Sequence, residues 1–255
     1  MLHSGKSGRN CHQLLGLLLF ALVVAGCATR MSPEREETFV SYVNLGISYI
    51  SQNNLASAES ALAHAAAIDQ DDYRINHAYA LLEQFRGNAK LADQLFRQTL
   101  EEKPNFTRAR NNYGVFLSTV ERDLEAIEQL TQAANDPAYD RREVAYENIA
   151  EIAIKIQRPL QAIGAFRDAR QLNPAEPRYN LRLAHLLAQQ GQYRPALDRF
   201  QEYLKLLPRA GQDPSSEDMQ LGASIAGWLG DRDLEDEYRA REMVLEELEK
   251  QQGGN

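Results

Sequence analysis

Cysteine is almost absent from this chain, which has Cys11 and Cys27 among 255 residues. It contains no C-x-x-C spacing and no H-E-x-x-H arrangement of its five histidines, so we expect no built-in metal site. No Ser-His-Asp set can be chosen from spacing alone. The sequence therefore predicts a protein that is not an enzyme and that holds no cofactor.

Basic residues are outnumbered by acidic ones, since the chain has 28 Lys and Arg and 36 Asp and Glu, which gives a net charge of −8. Nucleic-acid binding rewards clustered cations, so the balance argues against a nucleic-acid partner. The same balance argues against adsorption to anionic lipid through the protein surface, so we expect any membrane attachment to come from a covalent lipid.

Long apolar runs are limited to one, from Leu14 to Val24. It is too short to cross a bilayer, which takes about 20 apolar residues. Lys6 and Arg9 precede the run, and small residues follow it, which is the order of a secretory signal. We therefore predict that residues 1–26 form a signal peptide that is removed.

Cys27 follows Ala25-Gly26 directly, and this motif resembles the lipobox of bacterial lipoproteins. The resemblance implies cleavage before Cys27 and a covalent lipid, such as palmitate, on its thiol. Ala28 in place of Asp implies the outer membrane, with the protein held at its periplasmic face. Residues 27–38 then form a lipidated tether. The alternative is a plain secretory signal with a chance cysteine.

A large residue followed by Gly or Ala recurs about every 34 residues. The pairs are Leu45-Gly46, Tyr79-Ala80, Tyr113-Gly114, Ile149-Ala150, Leu183-Ala184 and Leu221-Gly222. A second series places a large residue four positions after an alanine: Ala58/Leu62, Ala92/Phe96, Ala126/Leu130, Ala162/Phe166 and Ala196/Phe200. Pro104, Pro174 and Pro208 close three of the units. Small residues at fixed places predict helix pairs that approach closely.

This pattern resembles the tetratricopeptide repeat, and the resemblance implies an all-α solenoid of about six helix pairs. The predicted repeats cover 39–72, 73–106, 107–140, 143–176 and 177–210. A capping unit at 215–248 completes a repeat region over 39–250. We expect Trp228 to pack in the core against the fifth repeat, with ligand stacking as the alternative.

Stacked helix pairs form a concave groove lined by the first helix of each pair. The predicted groove residues are Val40, Val43, Ile47 and Ile50 in the first repeat, Arg74, His77 and Leu81 with neighbouring Phe85 in the second, and Arg108, Asn111 and Val115 in the third. The first repeat thus predicts an apolar partner site that grades into polar residues. The alternative is that the N-terminal segment of the chain covers these aliphatic residues.

The whole layout resembles the secretin pilotins, which are tetratricopeptide-repeat lipoproteins of type IV pilus biogenesis. Besides the lipobox, three sequence motifs support the resemblance: Tyr42-x-x-Leu45-Gly46-x-x-Tyr49, Asn111-Asn112-Tyr113-Gly114-x-Phe116-Leu117 and Tyr146-Glu147-Asn148-Ile149. The resemblance implies a protein that binds a secretin subunit and promotes its localisation and multimerisation. Its second partner would be outer-membrane lipid, through the acyl chains on Cys27.

Two other functions fit the same layout. One is an accessory lipoprotein of the outer-membrane β-barrel assembly machine. The other is a regulator of a cell-wall enzyme, because the missing catalytic set counts against direct catalysis of cell-wall chemistry.

Overall fold

The computed structural model describes residues 31–253, so the predicted signal peptide and Cys27 lie outside the described residues. The described part of the chain is all-α, with twelve α-helices, one short 3-10 helix and no strand. The helices are α1 (Pro33–Ser51), α2 (Leu55–Ile68), α3 (Tyr73–Phe85), α4 (Ala89–Glu102), α5 (Thr107–Thr119), α6 (Asp123–Ala134), α7 (Arg142–Lys155), α8 (Pro159–Leu172), α9 (Pro177–Gln189), α10 (Tyr193–Leu206), α11 (Ser216–Leu229) and α12 (Arg232–Gly253), with the 3-10 helix at Leu207–Ala210.

Helix α1 begins earlier than the sequence predicts. Ser32 caps it by accepting a hydrogen bond from the Arg35 backbone N–H at 3.4 Å, and proline occupies the first helical turn. Glu34 and Glu36 add negative charge there, which favours the positive end of the helix dipole. The tether predicted over 27–38 is therefore wrong from Pro33 onward, because Ser32-Pro33-Glu34 is a helix-start signal.

The turn inside each helix pair uses one residue in the left-handed region. Gly87, Gly191 and Gly230 adopt it, with φ of 80°, 69° and 74°. Asn53, Glu121 and Gln157 adopt it in the other pairs, with φ of 57°, 63° and 58°. The geometry of the turn is thus imposed by the packing of the two helices, and glycine only makes it less costly.

The described chain consists of two compact units, of which the first ends at Ala78 and the second begins at Tyr79. In unit 1, α1 packs along α2. Gly46 permits this approach, since a Cβ on it would lie 2.5 Å from Leu62 Cδ2. Phe39, Ala58 and Leu62 are fully buried in the core.

In unit 2, each helix from α4 to α12 packs on the next one along the chain. The alanines and large residues of the second series are buried throughout: Ala92, Phe96, Ala126, Leu130, Ala162, Phe166, Ala196 and Phe200. Each large side chain contributes about 1.5–3 kcal/mol on burial. The predicted packing role of this series is therefore confirmed.

In the last helix pair, the start of α11 is hydrogen-bonded to the second half of α12. Ser215 and Asp218 form a capping box at the start of α11. The Glu249 carboxylate of α12 accepts hydrogen bonds from the Ser216 backbone N–H at 3.0 Å and from Ser216 Oγ at 2.7 Å. This contact ties the second half of α12 to the start of α11, and α12 continues past the predicted end at residue 248.

Candidate functional site

The predicted groove residues of α1 divide into two sets. Val43 and Ile50 are buried, with 5% and 2% of their surface exposed, whereas Val40 and Ile47 are half-buried. Val43 and Ile50 share the buried face of α1 with Phe39. Their prediction as groove residues is wrong, because their spacing places them on the core face of an amphipathic helix.

Arg74 connects the start of α3 to α1. Its guanidinium pairs with Glu36 at 2.6 Å and with Asp72 at 2.7 Å, and lies 4.6 Å from the centroid of the Phe39 ring. These carboxylates, chiefly the hydrogen bond to Asp72, raise the pKa of Arg74. The Arg74 side chain is only 23% exposed and pairs with two carboxylates, so its predicted groove role is corrected to a structural one.

His77 also departs from the prediction. Its side chain is buried, with 1% of its surface exposed, so it does not line a groove. Its position on α3 places it next to Ala78, which is also buried.

The remaining predicted residues lie in unit 2. Phe85 and Arg108 are exposed, and Leu81 and Val115 are half-buried. Asn111 is buried instead, and its Oδ1 has no hydrogen-bond partner among the described residues. The groove prediction is therefore wrong for Asn111, since its amide faces inward.

The first helices of the fourth and fifth pairs form a polar, ion-paired surface that is not among the predicted groove residues. Arg178 of α9 pairs with Glu147 of α7 at 2.9 Å, and Arg182 pairs with Glu151 at 3.0 Å. The two glutamates are four residues apart on α7, and the two arginines are four residues apart on α9. This matching spacing is the sequence signal that indicates the two ion pairs. Burial and then the Glu147 carboxylate raise the pKa of the adjoining Tyr179 to about 12.

Trp228 lies outside the core that the sequence predicted for it. Its side chain is 71% exposed. The indole ring stacks on the Tyr193 ring of the fifth pair, with centroids 5.2 Å apart and parallel planes. The contact with the fifth pair is present, but it lies on the surface.

An open cleft of about 870 Å³ lies between the loop before α11 and the second half of α12. Pro214, Val244 and Leu248 form its apolar part, and Asp213, Arg241 and Glu249 line it with charge. Within residues 31–253, no three His, Cys, Asp or Glu side chains are placed to hold a metal ion. No helix in that same stretch has the length and apolar character to cross a membrane.

Comparison with known proteins finds sequence similarity to tetratricopeptide-repeat proteins. A tetratricopeptide-repeat model matches residues 40–72. The type IV pilus assembly protein PilF of Pseudomonas aeruginosa is 29% identical over 229 residues, which cover 87% of this chain and 89% of PilF. This chain is a tetratricopeptide-repeat protein homologous to PilF.

Solved structures agree with the relation to PilF. A structure from the functional characterisation of Pseudomonas aeruginosa PilF is 29% identical, with a TM-score of 0.68, and covers 80% of this chain and 90% of its own. The crystal structure of PilW, described as a widely conserved type IV pilus biogenesis factor, shares the fold at 23% identity. Its TM-score is 0.62, and it covers 83% of this chain and 93% of its own. The predicted all-α tetratricopeptide-repeat fold is confirmed.

Proposed function

We propose that this homologue of PilF is a non-catalytic assembly factor of type IV pilus biogenesis. It is an outer-membrane-anchored lipoprotein that binds a secretin subunit and promotes its localisation and multimerisation. The similarity to PilF over 87% of the chain is the observation that carries this proposal. The lipobox-like motif that ends at Cys27 supports the proposed lipid anchor.

Attachment to the membrane supplies part of the mechanism. Two or more acyl chains on Cys27 would give stable anchoring, because each buried methylene contributes about 0.8 kcal/mol. A client captured beside the same membrane is then held at a high effective concentration. Assembly of client subunits is thereby favoured without a chemical step.

Surfaces of the first helices are suited to capture a polypeptide segment. Val40 and Ile47 give α1 a half-buried apolar strip in unit 1. In unit 2, the ion pairs Glu147–Arg178 and Glu151–Arg182 present charge of both signs on α7 and α9. In unit 1, the apolar side chains would contribute affinity to a segment bound there; in unit 2, the charged groups would select the register of a segment bound on α7 and α9.

Cross-linking in intact cells tests the choice of client. A photoreactive amino acid at Val40, and another at Arg182, should cross-link to the secretin subunit. A matched probe at the exposed Glu59 on α2 should give no such product. Cross-links to the β-barrel assembly machine, or to a cell-wall hydrolase or synthase, would instead support one of the two other functions.

A further inference from the structure

The exposed apolar side chains of unit 2 concentrate at the turns inside the helix pairs. Six of them lie at the end of a first helix or at the start of a second: Phe85, Leu91, Leu124, Ile154, Leu160 and Trp228. Leu160 and Trp228 are 72% and 71% exposed, which makes them the most exposed large apolar residues of the described chain. The rest of this class in unit 2 lie at Leu172 and on the second half of α12.

Contacts between consecutive pairs place these turns on the same side of unit 2. The ion pairs Glu147–Arg178 and Glu151–Arg182 align α7 in parallel with α9, so both helices end on this side. Lys155 Nζ, at the end of α7, lies 2.8 Å from Asp123 Oδ1 at the start of α6. Trp228, near the end of α11, stacks on Tyr193 at the start of α10. We call the segments 154–160, 189–195 and 228–234 the turn edge, since they are the turns of the last three pairs.

The charge of the turn edge differs from that of the whole protein. In a chain of net charge −8, its three segments contain the carboxylates Asp231 and Asp233 and four cations, Lys155, Arg158, Arg194 and Arg232, of which Lys155 is paired with Asp123. Arg158 and Arg194 are exposed and form no ion pair within the part of the chain that the structure describes. Asp231 accepts a hydrogen bond from the Leu234 backbone N–H at 3.2 Å, so it caps α12.

The composition of the turn edge matches the headgroup layer of a bilayer. Its most exposed apolar residues, Leu160 and Trp228, lie near Arg158 and Arg194, which are exposed and without an ion pair in the described chain. Projecting aliphatic side chains can enter the boundary between headgroups and acyl chains. Trp and Tyr are enriched at that depth, and unpaired Arg side chains attract anionic headgroups.

We propose that the turn edge lies against a bilayer that contains anionic phospholipid. Leu160 and Trp228 enter the interfacial layer, and Arg158 and Arg194 contact phosphate groups. This gives the protein a second attachment besides the lipid on Cys27, and it fixes which side of unit 2 faces the membrane. The inference does not depend on which client the protein binds.

Trp228 is the only tryptophan of the chain and therefore reports on this edge. The full-length protein is reconstituted in vesicles of phosphatidylethanolamine and phosphatidylglycerol at a 3:1 ratio, with bromine on the acyl chains near the headgroup. We expect the brominated lipid to lower Trp228 emission at least twofold and the membrane to protect the indole from aqueous acrylamide. Full access to acrylamide, with no quenching by bromine, would overturn the proposal.

Charge and shape are then tested separately from anchoring. Leu160→Asp combined with Arg158→Glu and Arg194→Glu should abolish bromine quenching while the protein stays on the vesicles. The control, Leu172→Asp with Arg209→Glu, changes exposed residues away from the edge and should quench as the wild type does. Circular dichroism verifies that both variants remain helical.

If Trp228 is shielded only after the secretin subunit is added without vesicles, the turn edge is a protein interface and the proposal is wrong. Secretin multimers are measured independently, so this result does not decide the proposed function.

Discussion

Gly114 in α5 lies directly against the side chain of Leu130 in α6. A Cβ on Gly114 would be 2.6 Å from Leu130 Cγ and 3.1 Å from the Ala126 carbonyl oxygen. The backbone oxygen cannot move away as a flexible side chain could. We expect Gly114→Ala to lower the free energy of unfolding by about 1–3 kcal/mol.

Gly164 supplies the matched control for this prediction. It lies in the interior of α8, and nothing stands within 4 Å of the position of its Cβ. Gly164→Ala should therefore stabilise the protein by up to about 1 kcal/mol through helix propensity. Denaturant titration of both variants measures the difference, and a Gly114→Ala variant as stable as the wild type would refute the close approach of α5 and α6.

The pair Asp123–Lys155 makes stability depend on pH. The Lys155 ammonium donates to Asp123 Oδ1 at 2.8 Å, and this hydrogen bond is the main reason that the pKa of Asp123 lies below its ordinary value of 3.8. A lowered carboxyl pKa stabilises the folded state above pH 3.8, and the contribution is lost as pH falls through the lowered pKa. Because the pair is partly exposed, we expect it to contribute below about 1 kcal/mol.

Lys155→Gln tests that relation. The difference in unfolding free energy between wild type and variant should be constant from pH 7 to about pH 5 and should shrink toward pH 3. A difference that stays the same at pH 3 would show that Lys155 stabilises the fold by packing instead of charge.

Val40 and Ile47 lie seven residues apart, on the same side of α1, and both are half-buried. We expect Val40→Asp with Ile47→Asp to weaken binding of the purified secretin subunit at least tenfold while helical content is preserved. Ser41→Asp with Ser48→Asp is the control, since these exposed residues have the same spacing and introduce the same charge. Equal affinity for both double variants would exclude the apolar strip as the client site.

Cys27→Ser tests the anchor. Without the thiol no lipid can be attached, so the protein should fold but separate with the soluble periplasmic fraction. Mass spectrometry of the wild-type N-terminus should find a lipid on Cys27. An unmodified thiol, or outer-membrane fractionation of the variant that matches the wild type, would contradict lipidation.

The repeat architecture could be predicted from sequence because it depends on small residues at a fixed period. Gly46, Gly114 and Gly222 lie where a side chain would collide with the facing helix, and the sequence marks these places directly. The second helices end two residues before Pro104, Pro174 and Pro208, as proline requires.

The surface was harder to predict because position within a repeat does not fix exposure. Repeat position predicts that Val43 and Ile50 line the groove, but the 3.6-residue period of α1 turns them to the core beside Phe39. No sequence signal marks the left-handed turns at Glu121 and Gln157, because the usual signal for such a turn is glycine. Pairings such as Glu147–Arg178 join residues 31 positions apart, so the matching i,i+4 spacing on the two helices identifies them only when the fold has placed α7 beside α9.

The amount of assembled secretin in the outer membrane tests the central claim most directly. Heat-resistant secretin multimers should be abundant in cells that carry this protein and lost, with monomer accumulating, in cells that lack it, while general porins stay at their normal level. The wild-type gene should restore the multimers. Unchanged secretin multimers in the deletion strain would contradict the account.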